Sequence, residues 1–341
     1  CIRDRALTTQ SQRAWLNLTT EESVDPEREI IDPHHHLWRT GGLPPYVLED
    51  LWEDTDSGHN IVKTVFMECG AEYRETGPQH LRAVGETEFV RNIALASRGQ
   101  GKAEIAGIIA HADLDQDDSL VRDVLQAHEE SGDGLFRGIR HGGAHDPGKN
   151  LGWLNATPHA NLFERENFRR GVALLGDLGY TYDSWHYHFQ NDAFAELAEA
   201  VPGTTIVLDH FGTPCGVGDY AGKADEVFAQ WQAGIIRLAG CPNVVVKIGG
   251  LAMPVNVFGW GENERPPSSD EVAAAHHDYY LRTIDAFGPE RCMFESNFPV
   301  DKLSLSYNVY WNAMKKIAVS YSDAEQHAMF YATAERIYRL S

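Results

Sequence analysis

Ile30-Ile31-Asp32-Pro33-His34-His35-His36-Leu37-Trp38 decides the fold: a short β-branched run ends abruptly in histidines. The same pattern returns at Tyr182-Asp183-Ser184-Trp185-His186-Tyr187-His188-Phe189-Gln190 and at Ile206-Val207-Leu208-Asp209-His210-Phe211-Gly212-Thr213-Pro214. Apolar runs of strand length recur at 30–32, 64–68, 105–110, 134–140, 180–185, 205–209, 243–248 and 291–295. Helical patterns stand between them at 79–97, 119–131, 161–178, 192–200, 224–239, 270–287 and 303–318, and a last one at 322–338 opens with a Ser-Asp-Ala-Glu capping sequence. Strands separated by helix-length crossovers predict a parallel sheet. Eight such units match a (β/α)8 TIM barrel, usually about 250 residues plus insertions. The α/β alternative is a doubly wound open sheet, and the absence of G-x-G-x-x-G after the first strand removes its dinucleotide-binding form.

One domain is expected over 29–341, with a polar N-terminal arm at 1–28 and a C-terminal helix. Two stretches, 38–60 and 253–269, break the rhythm after the first and seventh strands and are candidate lids.

Composition narrows the partners. The 341 residues carry 29 Lys and Arg against 50 Asp and Glu, a net charge of −21, which repels nucleic acid and anionic membranes. No run approaches the roughly 18 apolar residues of a spanning helix, and residues 1–20 contain no signal-like apolar core. A soluble, cytoplasmic protein is expected, with a homo-oligomer left open. The chain opens on Cys1, not a methionine, which leaves an upstream segment open and loosens that expectation. Five cysteines without C-x-x-C spacing fit neither a disulfide framework nor a cysteine zinc site.

His34 and His36, two residues apart at a strand end, point the same way and can chelate one cation. His188 and His210 also stand where strands end, on the active face of a parallel barrel. His186 shares the parity of His188 and competes with it. A convergence of His34, His36, His188 and His210 predicts zinc or another borderline divalent metal.

Nearly the whole chain, from about Leu16 to Leu340, resembles the amidohydrolase-related TIM barrels, in the branch with sugar lactonases and pyrone-dicarboxylate lactonase. The matching stretches are IDPHHHLW (31–38), ECGAEYR (68–74), FRGIRHGGAHDP (136–147), YDSWHYHFQ (182–190), VLDHFGTP (207–214), NVVVKIGGLAM (243–253) and RCMFESNFPVDK (291–302). The resemblance implies that His34, His36, His188 and His210 are the family's histidines. It also implies an eighth-strand Ser-Asp-Trp/Phe-Pro motif whose aspartate acts as general base. Here the motif reads Ser296-Asn297-Phe298-Pro299, and an asparagine cannot accept that proton. Glu68, Glu295 and Asp301 are the replacement bases to consider. Against them stand ion pairing of Glu68 or Glu295 with Lys247, Arg140 or Arg291, and helix capping by Asp301.

Arg74, Arg140, His141 and Lys247 lie on or after strands, and in so acidic a chain cations at the mouth suit a small anionic or polyhydroxylated substrate. Trp38, Tyr46, Tyr182 and Trp185 are candidate walls. The expected activity is opening of a lactone, or a related cyclic ester or amide, that carries a carboxylate, with a histidine-held divalent metal or Arg and Lys donors polarising the carbonyl. The alternatives are a metal-dependent decarboxylase of an aromatic acid and a binding barrel whose catalysis has lapsed.

Overall fold

The computed structural model describes residues 9–40, 43–148, 150–151, 156–256 and 258–340. Eight parallel strands follow one another in space as in sequence: β1 (Glu29–His35), β2 (Asn60–Met67), β3 (Glu104–Ala110), β4 (Phe136–Arg140), β5 (Thr181–Ser184), β6 (Ile206–Leu208), β7 (Val244–Gly249) and β8 (Cys292–Glu295). The expected TIM barrel is therefore present. It closes just beyond β8, where the His36 N–H donates to the Phe298 carbonyl at 2.8 Å and the Asn297 N–H to the His34 carbonyl at 3.0 Å.

Several elements differ from expectation. β1 runs on to His35, and a register shift between Asp32 and His35 absorbs Pro33, which cannot donate to the ladder. The pattern expected over 79–97 becomes a 3₁₀ turn (Gln79–Leu81) and a helix from Val84, which docks at Gly85 where a Cβ would strike the backbone of Glu72 and Arg74. The helix expected from 303 starts at Tyr307, where Ser306 caps the Val309 N–H. The last pattern is two short helices, Asp323–His327 and Thr333–Tyr338, joined by a π turn (Ala328–Ala332) that buries Met329 and Phe330. The arm holds a helix, Thr9–Leu16, whose Gln12 and Trp15 bond the carbonyls of Lys302 and Asn263. The first candidate lid contains a helix, Leu48–Thr55, while residues 41–42 and 257 of the two lids lie outside the described residues, as does Cys1. The other four cysteines are free. Among the described residues no helix is long and apolar enough to cross a membrane.

Alternation along each strand builds the interior in layers. Ile31, Val65, Met67, Ile109, Val207, Val245 and Met293 form a buried inner cluster, closed from below by Ala334, Tyr338 and Leu340 of the C-terminal segment. Their alternates, among them Ile30, Phe66, Ile108, Leu208, Val246 and Phe294, pack against the helices. Two residues above the inner cluster, the same parity carries Asp209, Lys247 and Glu295. The chain terminus and the charged layer touch directly, because the Tyr338 hydroxyl donates to Asp183 Oδ2 at 2.5 Å. Tyr338→Phe should keep the packing and lose this bond to a buried carboxylate. A loss of about 1.5–3 kcal/mol in urea denaturation is expected; an unchanged midpoint would show that the bond does not tie the terminus to the barrel.

Candidate active site

Lys247 is wholly buried, and burial alone would strip its proton. Asp183 and Asp209 prevent this: its ammonium lies 2.9 Å from Asp183 Oδ2 and 3.1 Å from Asp209 Oδ1, and its pKa is raised. The carboxylates divide unequally. Burial pushes Asp183 up to about 6 despite Lys247, whereas Lys247 and Arg140 together overcome burial and hold Asp209 below the usual range.

Above this layer sit His34 and His210, with ring centroids 4.4 Å apart. Glu295 Oε1 accepts from both the backbone N–H of His210, at 3.1 Å, and its Nδ1, at 2.7 Å. Glu295 Oε2 lies 2.7 Å from His34 Nδ1 but off the hydrogen-bond direction, so it is a buried oxygen without a hydrogen-bond partner. The backbone is bent to permit this. His210, Phe211, Gly212 and Thr213 all take left-handed φ of 53°, 57°, 68° and 45°, and any side chain at Gly250 would collide with the His210 ring.

His34, His210 and Glu295 bring ligand atoms within 4.8 Å of one another. Imidazole nitrogens and a carboxylate oxygen with no hydrogen-bond partner fit a divalent cation in composition; burial first, then Lys247, drives the His34 pKa well below its ordinary value. Two fixed cations oppose it, since Lys247 Nζ lies 3.4 Å from His34 Nδ1 and Arg140 Nη1 lies 3.4 Å from His34 Nε2. The structure thus narrows and alters the expected ligand set. His36 turns its Nδ1 to the Met67 carbonyl at 2.9 Å, and its ring centroid lies 5.0 Å from that of His34. His188 leaves the group altogether: a 3₁₀ turn, His188–Gln190, carries it beyond the strand, against Phe189 and Tyr220. His186 bonds Ser184 and Asn191.

At the rim, Arg140 Nε donates to Glu68 Oε1 at 2.7 Å and its Nη2 bonds the Glu68 carbonyl. Asn297, itself at φ 56°, donates its amide to Asp301 Oδ1 at 2.8 Å, while Asp301 Oδ2 accepts the Ala252 N–H at 3.1 Å. Burial raises Asp301 to about 7.

Other expected substrate residues are engaged elsewhere. Arg74 pairs with Glu88, His141 Nδ1 accepts the Leu114 N–H, and the Tyr46 hydroxyl donates to Asp54 at 2.7 Å. Tyr182 bonds the His141 carbonyl, and Trp38 reaches the Pro44 carbonyl. Trp185 packs on Tyr187, its indole N–H without a hydrogen-bond partner. Asp183, Asp209 and Tyr338, which complete the charged layer, were not singled out as site residues in the sequence. For the two acids the available signal was their place shortly before a strand-end histidine; Tyr338 carried none.

The family model for Amidohydro_2, amidohydrolase, matches residues 31–340. An uncharacterized protein of Sinorhizobium fredii, y4mH, is 33% identical over 334 residues, 91% of this chain and 98% of that one. The L-fucono-1,5-lactonase of Burkholderia multivorans is 34% identical over 176 residues, 51% of this chain and 56% of that one. An amidohydrolase structure from Burkholderia multivorans with bound HEPES covers 92% of this chain and 100% of its own at TM-score 0.71 and 24% identity. A second crystal form with bound zinc gives 0.69. These two structures show likeness of fold.

Buried acids make stability depend on pH. Asp32 and Asp183 are raised by burial to about 6, Asp301 to about 7 and Glu86 to about 8. The folded chain keeps these protons where the unfolded chain has lost them, so the stability they supply is full at low pH and lost as pH rises through these values. Buried histidines, depressed below 6.5, oppose this trend only beneath that value. The urea midpoint should therefore fall between about pH 6.5 and about pH 8.5, and Glu86→Gln should flatten the fall. A midpoint that rises over this interval would contradict the assignment.

Proposed function

Because the chain belongs to the amidohydrolase family, we propose that it is a hydrolase that opens a lactone, or a related cyclic ester or amide, bearing a carboxylate. The observation that carries this reading is the placement of Arg140 and Lys247 at 3.4 Å from the two ring nitrogens of His34. Both cations are paired with acids, and Arg140, at the rim, is the one that an anionic ring and the charge growing on its carbonyl oxygen can reach. The stretch shared with a lactonase supports the ester class.

His34, His210 and Glu295 would hold a divalent metal, with zinc the natural match to such donors, and the bound ion would polarise the acyl carbonyl. The remaining work falls to side chains. Arg140 orients the substrate carboxylate by a charge-assisted hydrogen bond. Asn297 donates to Asp301 and fixes the eighth-strand loop; it takes no proton. Of the three candidate bases, Glu295 faces His34 and His210, and Asp301 has both oxygens occupied. Glu68, 16% exposed, keeps access to the mouth and is the base in this reading.

A panel of carboxylated and neutral lactones followed by pH-stat tests the activity. Carboxylated members should be the better substrates, and Arg140→Ala should raise their KM about 10–100-fold while sparing neutral ones, the scale of a lost charge-assisted bond. Equal losses would make Arg140 structural. Release of CO2 from aromatic acids would favour decarboxylation, and binding without turnover would favour a lapsed enzyme. Elemental analysis after zinc loading should find close to one equivalent, reduced by His34→Ala or Glu295→Gln. Under about a tenth of an equivalent in the unmutated protein would remove the metal and leave polarisation to Arg140 and Lys247.

A further inference from the structure

Arg140 is not a free cation waiting for an anion. Its Nε and Nη2 are taken by the side chain and carbonyl of Glu68, and its Nη1 lies 3.5 Å from Asp209 Oδ2 and 3.4 Å from His34 Nε2. An incoming carboxylate therefore competes with protein groups more than with water. Three of these partners cannot yield. Asp209 is fully buried on Lys247, His34 is fully buried, and the Glu68 carbonyl belongs to a backbone held where the Glu68 N–H donates to Ile109 at 2.9 Å. The Glu68 side chain can yield, since it is partly open to solvent and reaches Arg140 by rotatable bonds.

We propose that the substrate's carboxylate displaces the Glu68 carboxylate from Arg140, and that Glu68 becomes an effective base only when so displaced. This rests on the anionic-lactone reading above. The surroundings decide what displacement does. Glu86, wholly buried, accepts the N–H groups of Cys69 and Ala71 on Oε1 and leaves Oε2 without a hydrogen-bond partner; the Cys69 thiol and the Tyr73 hydroxyl also feel the charge on Glu68. Without its guanidinium, Glu68 loses the cation it was paired with, so displacement makes its carboxylate a better proton acceptor.

The released carboxylate takes a proton from water as the water oxygen bonds to the acyl carbon. The carbonyl π pair moves onto its oxygen and returns as the ring C–O bond breaks. Glu68 then passes the proton to the departing ring oxygen, nothing is oxidised, and the new carboxyl group releases its own proton to solvent.

Glutarate, a dicarboxylate with no scissile bond, is a suitable probe. Calorimetric titration at about pH 7 in phosphate and in Tris, which differ in ionisation heat, should show partial proton uptake on binding to the unmutated protein, well below one proton per site, the rest of Glu68 staying ionised to act as base. Glu68→Gln should bind glutarate about tenfold more tightly, take up no proton, and lose about 10²–10⁴ in kcat on a hydrolysed lactone with KM unchanged or lower. Glu68→Asp, with a shorter reach to Arg140, should also bind more tightly yet keep part of kcat, and it serves should the glutamine variant not fold. Weaker or unchanged binding in both variants, or uptake that persists in Glu68→Gln, overturns the exchange and leaves the lactonase reading standing. If neither glutarate nor any carboxylated lactone binds the unmutated protein, the anionic-substrate reading falls and this proposal with it.

Discussion

The buried ammonium of Lys247 is the point on which the interior depends. A lone ion at that depth would lose its charge, and a lone Asp183 or Asp209 would be equally costly. Each is tolerable because the others are there. The arrangement also joins distant parts of the chain: Lys247 on β7 binds Asp183 on β5, Asp183 receives Tyr338 from the C-terminal helix, and the Tyr338 ring lies under the ammonium at 5.3 Å. The floor of the barrel and the floor of the site are one structure. Loss of the cation would leave Asp183 without its ion pair and Asp209 with Arg140 alone beneath His34.

Strain is concentrated on the opposite wall. A run of four left-handed residues after β6 is unfavourable for L-amino acids, and here it directs His210 onto Glu295. The glycine at 250 is required by the same geometry, because the histidine ring fills the space a side chain would need. Rigid packing therefore supplies the orientation that a flexible loop would not.

Strand count, order and inward parity were legible in the sequence because alternation is a local property. The pairing of Glu68 with Arg140 stood among the alternatives to catalysis, and it is present. The fate of His188 was not legible. Nothing in Trp185-His186-Tyr187-His188 announces that the strand stops at Ser184 and a 3₁₀ turn follows, and each extra backbone turn changes the face a histidine presents. Arg74, His141 and Tyr46 take polar partners in Glu88, Leu114 and Asp54, pairings that no local pattern marks. Tyr338 was hidden because its role depends on where a helix docks 155 residues from the acid it reaches.

The amide of Asn297 bonded to the acid of Asp301 also limits what position 297 can carry. An aspartate there would bring a second carboxyl to hydrogen-bond distance of Asp301, and two acids that close share a proton and do not ionise independently. Positions 297 and 301 therefore form one electrostatic unit, and the effect of a substitution at either depends on the residue at the other.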